Sequence, residues 1–381
     1  MSTVPPDVPA ARPPVAASEP RWKVAVPWRS LLMVGALVAI WVVFSLTTDG
    51  TFLRPRNLSL LARQTSVTAI LAVGMVLVIV AGQIDLSVGA LAGLMGGLAA
   101  MAYMQRQWPL GVAFLAVLLG GALLGAAQGS LVAFLKIPPF IVTLGGMLLF
   151  QGALLGITGG VTVSPSRPFL YVGQAYVPGW LGWLVAGLMA AMFFADGVRT
   201  GGRRLWTRAG LAALALGFTA VMNAYEGIPV PVFLLLALAG LFSGVARHTR
   251  FGRHLYAIGG NREAAFYSGI SIEKHIVGVF TVMGLLSAVA GIVLTARVGA
   301  ATSDAGRIME LDAIAAAVIG GTSLLGGQGT VWGALLGALV MASLDNGMSL
   351  MNTEAFWQPI IKGSILVAAV AVDMLGRRTR G

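Results

Sequence analysis

The chain reads as an all-α, polytopic integral membrane protein of about 10–12 transmembrane helices, with broken helices among them and one short helix on the cytoplasmic side. Three observations predict this. Hydrophobic residues make up 57% of the 381 and charged residues only 10%, where a soluble domain carries about a quarter charged. The 51 glycines suit a membrane bundle, in which small residues let helices approach closely. The basic residues fall in short clusters between apolar runs, as orientation signals do.

That distribution also disposes of the net charge of +11 as a sign of nucleic-acid binding, since no single basic surface is built from it. With no cysteine, disulfides, thiolate metal sites and cysteine nucleophiles are excluded. The three histidines, His248, His254 and His275, lie in or beside one polar stretch. A surface position is expected for each, and no metal site.

Taken in order, residues 1–28 hold seven prolines with Ala, Ser and Val between them, a composition that cannot bury a core and predicts a disordered cytoplasmic tail. No small-residue cleavage site follows the first apolar run, so a cleavable signal peptide is not expected. A single transmembrane domain is expected over 29–376, and a basic cytoplasmic tail over 377–381. Apolar stretches stand at 31–47, 64–82, 86–104, 111–135, 140–158, 180–195, 209–224, 230–246, 276–296, 311–326, 331–350 and 357–375. Several fall short of the roughly 20 residues of a straight span. The clusters Arg199/Arg203/Arg204/Arg208, Arg247/Arg250/Arg253/Arg262 and Arg377/Arg378/Arg380 place both termini in the cytoplasm for an even count. Arg54, Arg56 and Arg63 follow the first span on the wrong side, and an amphipathic interfacial segment is the expectation there. Trp180, Trp183, Trp332 and Trp357 suit the membrane interface.

The sizeable polar island of the second half is Gly252 to Glu273. Asn261 can cap a helix, Glu263 sits in its first turn, and Gly269 can take the left-handed stop. About two turns are unstable alone, and the segment shows Phe266 and Tyr267. A docking element is predicted.

Two polar breaks interrupt the apolar sequence. In the first, Gln83, Asp85 and Ser87 are candidates for the path of a hydroxylated solute, because an intramembrane carboxylate costs about 2.5–3.5 kcal/mol unless it faces a cavity or partner. Capping of the helix opened by Leu86 is the structural alternative for Asp85. The second break, Gly320 to Thr330 with Thr322 and Ser323, looks like a phosphate loop but lacks its Lys-Ser/Thr, so ATP is not hydrolysed here by that route. Asp345 and Asn346 are further path candidates or a local cap, and Arg307 with Glu310 or Asp312 is expected to form a surface ion pair. A faint repeat aligns Val78-Ile79 with Val318-Ile319, as in transporters built from repeated halves. No catalytic constellation appears, and no enzyme is expected.

Tyr256 to Asn261, Glu263-Ala264-Ala265 and Ser268-Gly269-Ile270, together with Ile84 to Gly89 and Gly320 to Gly327, resemble three signatures of the permeases of ribose/xylose/galactose ABC importers. The resemblance spans about residues 30–376. The segments between 165 and 225, and Ala342 to Ser349, look closest to the D-xylose permeases of that branch. It implies an inner-membrane subunit that dimerises, receives a monosaccharide, D-xylose by this likeness, from a periplasmic binding protein, and is driven by a separate ATPase. ATP would be used by that partner, and no cofactor is implied in this chain. Gly259, Gly260, Asn261, Glu263, Ala264, Ala265 and Gly269 would form the coupling piece in the ATPase groove. The competing reading is an ion-coupled secondary transporter for a small polar solute, with Asp85 or Asp345 carrying the ion.

Overall fold

A computed structural model describes residues 28–200 and 202–378; the expected disordered tail and the last three residues lie outside them. The helices are α1 Trp28–Thr47, α2 Pro55–Val80, α3 Val88–Met104, α4 Leu110–Phe134, α5 Pro139–Thr158, α6 Arg167–Gln174, α7 Gly179–Thr200 and α8 Gly202–Asn223. They continue as α9 Val230–His248, α10 Arg250–Gly260, α11 Arg262–Tyr267, α12 Ile272–Val298, α13 Met309–Ile319, α14 Val331–Leu350 and α15 Trp357–Arg378. Among the described residues extended backbone pairs only as two isolated bridges, Val163 with Ala301 and Tyr176 with Pro229.

Each of the twelve apolar stretches falls on a helix, but not each is a span. Eight described helices are long and apolar enough to cross a membrane, and two shorter apolar ones lie at 33–47 and 88–104. The stretch 311–326 is not one helix: α13 stops at Ile319 and a glycine-rich loop follows. This is one of the broken helices expected among the apolar stretches, because glycine in the left-handed region ends a helix more readily than apolar character continues it.

At the centre stand α2 and α12. Along α2, every residue from Val67 to Val80 except Thr68 is buried. The glycines of α4 explain how α12 is approached: a side chain on Gly121 would strike Gly284 and Ala288, and one on Gly125 would strike Phe280. These contacts run in opposite directions along the two helices, so α4 and α12 are antiparallel, while α3 lies parallel to α12 through Ala92, Gly96, Gly291 and Thr295. Dispersion at such close approach replaces the hydrophobic drive that lipid removes. By contrast α7 and α8 pack mainly on each other and show most of their apolar surface outward.

One face gathers the ends of α2, α4, α7 and α9, with α10 and α11, and it carries Lys136, Arg247, Arg250, Arg253 and Arg262. Arg54 and Arg56 are exposed on the opposite face. Arg63 is not interfacial: its guanidinium donates to the Gln174 carbonyl at 2.8 Å and lies 4.3 Å over the Tyr176 ring, which explains an arginine that charge patterning alone could not place.

Candidate functional site

The sequence breaks twice in the same way. Gly82 (φ 73°) donates to the Ile79 carbonyl at 2.9 Å and Gln83 N to that of Val78 at 3.0 Å. Gly321 (φ 90°) donates to Val318 at 2.9 Å and Thr322 N to Ala317 at 2.9 Å. Both are Schellman ends, which satisfy the last carbonyls of a helix with a left-handed glycine. Counted from these two glycine stops, Ile79-Val80 occupies the place that Val318-Ile319 occupies in the second break, one residue on from the Val78-Ile79 pairing read from sequence.

The two breaks meet each other and α10. Gly327 N donates to the Val80 carbonyl at 2.9 Å, and the Tyr256 hydroxyl donates to the Gly329 carbonyl at 2.7 Å. Burial raises the Tyr256 hydroxyl above its ordinary value, against the pull of Arg247, so it stays a donor at neutral pH. Gly259 is wedged between them: a side chain there would overlap the Val80 carbonyl and press on Gly327 N. Glycine is needed by proximity, because any Cβ would force backbone apart.

After that junction Asn261 turns the chain (φ −156°) and its Oδ1 accepts from Ala264 N at 2.9 Å, starting α11 as the capping chemistry predicts. Gly269 (φ 78°) donates to Phe266 at 2.9 Å and Ile270 to Ala265 at 3.1 Å, a third Schellman end. Ala265 is buried against the body, whereas Asn261, Glu263, Ala264 and Gly269 are exposed, as are Phe266 at 62% and Tyr267 at 79%. An outward aromatic pair on a six-residue helix is a surface offered to another body. Of the seven residues read as one coupling piece, Gly259 contacts this chain's own breaks, Gly260 lies beside Gly327, Ala265 is buried, and Asn261, Glu263, Ala264 and Gly269 are exposed.

The pathway candidates divide. Asp85, 2% exposed, accepts through Oδ1 from Ser87 N at 2.8 Å and Ser87 Oγ at 2.7 Å, an Asx turn that opens α3. Ser87 Oγ also lies 3.1 Å from the Gln128 side-chain amide. That near atom is the amide oxygen, an acceptor like Asp85 Oδ1, so the single Ser87 hydroxyl proton serves one of the two at a time, and Gln128 Nε2 has no partner. Gln83 is buried with its Oε1 unpartnered, and Thr322 is buried beneath Gly329 with its hydroxyl unpartnered. Ser323 Oγ accepts from Leu325 N at 3.2 Å. These five lie in the two breaks, Thr322 beside Gly329 and Val80, and Ser87 beside Gln128 and Gly146.

Asp345 and Asn346 do not join them; fourteen residues beyond the start of α14, they lie about 21 Å along it. Asn346 and Asn57 exchange two amide hydrogen bonds, at 2.8 and 3.1 Å. Lys362 Nζ sits 2.8 Å from Asp345 Oδ2 and 2.9 Å from Asp312 Oδ2. The expected surface pairing of Arg307 with Glu310 or Asp312 is overturned: Arg307 lies 3.6 Å from Asp304 on the surface, while Glu310 and Asp312 are buried. Lys362 went unremarked in the sequence although it is an ammonium inside an apolar stretch, itself a signal of an intramembrane partner. Gln128 had the same signal in a weaker form. Tyr256 stood only at the head of the resembling segment, with nothing to mark its own bond, since its acceptor is a backbone carbonyl 73 residues away. No group of three or more metal-ligating side chains occurs among the described residues.

The sequence profile described as the branched-chain amino acid transport system permease component matches residues 57–370. The xylose transport system permease protein XylH of Escherichia coli is 48% identical over 365 residues, covering 91% of this chain and 92% of that protein. XylH of Haemophilus influenzae is 46% identical, over 91% of this chain and 96% of its own length. The ribose import permease protein RbsC of Escherichia coli is 37% identical, over 90% and 92%. No solved structure matches the chain. With a profile match over most of its length and relatives well above 30% identity, this chain belongs to the family of membrane permease components of transport systems that the profile describes.

Proposed function

We propose that this chain is the transmembrane subunit of an ABC importer that carries a monosaccharide, D-xylose, across the inner membrane by alternating access, driven by a separate ATPase. The observation that carries the substrate is the 48% identity to XylH over nearly the whole of both chains. Support for an outside energy source comes from α11, an exposed, aromatic-bearing helix that follows directly on α10, whose Gly259 and Tyr256 touch both breaks. Force on α11 would move the two breaks together, which is the kind of bistable element alternating access needs. A periplasmic sugar-binding protein supplies the solute, two copies of the chain form the membrane dimer, and both termini lie in the cytoplasm with the basic face.

The ion-coupled alternative fares poorly against the geometry, because Asp85 is engaged in an Asx turn and Asp345 is held by Lys362. The test is xylose uptake into proteoliposomes holding this chain with its ATPase and binding protein. Uptake is expected only with both partners and ATP. Uptake that survives removal of the ATPase, or that an uncoupler abolishes while ATP is held constant, would overturn the reading.

A further inference from the structure

A cavity of about 320 Å³ opens on the basic face, floored by Gly82 and Gln83 of the first break, walled by the turn from Lys136 to Pro139, and edged by Arg262, the first residue of α11. Its volume is at the lower end of the roughly 300–1,000 Å³ of small-molecule sites. Two cations face it and no acidic residue lines it. Gln83, 5% exposed, also lines it, but its unpartnered amide oxygen is an acceptor and contributes nothing to holding an anion, which leaves that task to the two cationic residues.

Lys136 is the unusual member. It follows the end of α4 at φ 55°, the left-handed stop where glycine is favoured and a residue with a Cβ is held at a cost. The turn alone would be served better by glycine, yet a long cationic side chain stands at that position and lines the cavity. Around the mouth, Phe134, Leu135, Phe140 and Ile141 are all more than half exposed, an apolar rim of the sort that faces lipid at the membrane boundary. We propose that this cavity is a binding site for a phosphate-bearing anion, its charge held by Lys136 and Arg262. Two sources share that chemistry: the headgroup of an anionic phospholipid, whose chains the apolar rim would accept, and a soluble sugar phosphate. Either occupant ties α11 to the turn between α4 and α5, over Gly82 and Gln83 of the first break, and so restrains α11 beside the junction described above.

The test uses the purified full chain in a neutral detergent and reads retained ligand by native mass spectrometry. The probes are dioleoyl phosphatidylglycerol, zwitterionic dioleoyl phosphatidylcholine, ribose 5-phosphate and inorganic phosphate. The wild type is expected to hold phosphatidylglycerol or ribose 5-phosphate about tenfold or more tightly than the K136G/R262A variant, and K136R/R262K is expected to retain most of that. K136G relaxes the turn, so its melting temperature should hold or rise while binding weakens, which separates lost binding from lost folding. Retention of phosphatidylglycerol but not of phosphatidylcholine or the soluble phosphates assigns the lipid source; retention of ribose 5-phosphate alone assigns the soluble one. Equal retention by wild type and K136G/R262A for every probe overturns the site. Neither sugar uptake nor the ATPase enters this assay, so its outcome is readable whether or not the transport proposal stands.

Discussion

Gly259 and Asp85 show how one atom decides a residue's part. At Gly259 the space for a Cβ is already filled by the Val80 carbonyl, so Gly259→Ala is expected to cost about 1–3 kcal/mol by forcing backbone apart. A lowered melting temperature with impaired uptake would show it, and an unchanged melt would mean the junction is looser than described. Asp85 offers a sharper distinction. An asparagine keeps the Oδ1 acceptor for Ser87, so Asp85→Asn should retain uptake, whereas Asp85→Ala should lose about 1–2 kcal/mol through the missing cap. Loss of transport in a normally folded D85N protein would restore the carboxylate as an ion carrier.

Among the elements, α11 is legible from local chemistry alone: an asparagine cap, an acidic first turn and a left-handed glycine stop sit at fixed short offsets, and all three act within a few residues. Its direction is not legible, because which side of a two-turn helix faces out depends on what α12 leaves open. With Phe266 and Tyr267 exposed, the F266A/Y267A variant should melt within about 0.5 kcal/mol of wild type and fail to co-purify with the ATPase. A variant that still binds the ATPase would remove α11 from that interface. In the other half of the molecule α13, α14 and α15 are clamped by Lys362 between Asp312 and Asp345. Removing the ammonium strands one buried and one half-buried carboxylate, so Lys362→Met should cost about 3 kcal/mol, and adding D312N/D345N should return part of it. Thermal melts of the single and triple variants check this, and a K362M protein as stable as wild type would leave the clamp without energetic weight.

For the whole molecule, the distribution of arginines predicts which face meets the cytoplasm, and the absence of cysteine makes the test clean. A cysteine at the exposed Tyr267 should react with a membrane-impermeant maleimide only in inside-out vesicles, and one at the exposed Leu53 only in right-side-out cells. The reverse pattern would invert the topology, and with it the proposed side of ATPase docking.

The sequence by itself determined the membrane class, the two polar breaks and the capped, glycine-stopped α11, because hydropathy and capping act over distances the chain order preserves. It also carried enough likeness to point to the sugar-permease family. Only the tertiary structure decided that the two breaks touch, that Gly259 faces inward while Glu263, Phe266 and Tyr267 face outward, and that Asp345 is paired with Lys362. Those outcomes depend on contacts between residues tens to hundreds of positions apart. Lipid gives apolar helices no direction to turn, so the choice falls to close glycine packing and to the few polar groups that must find one another.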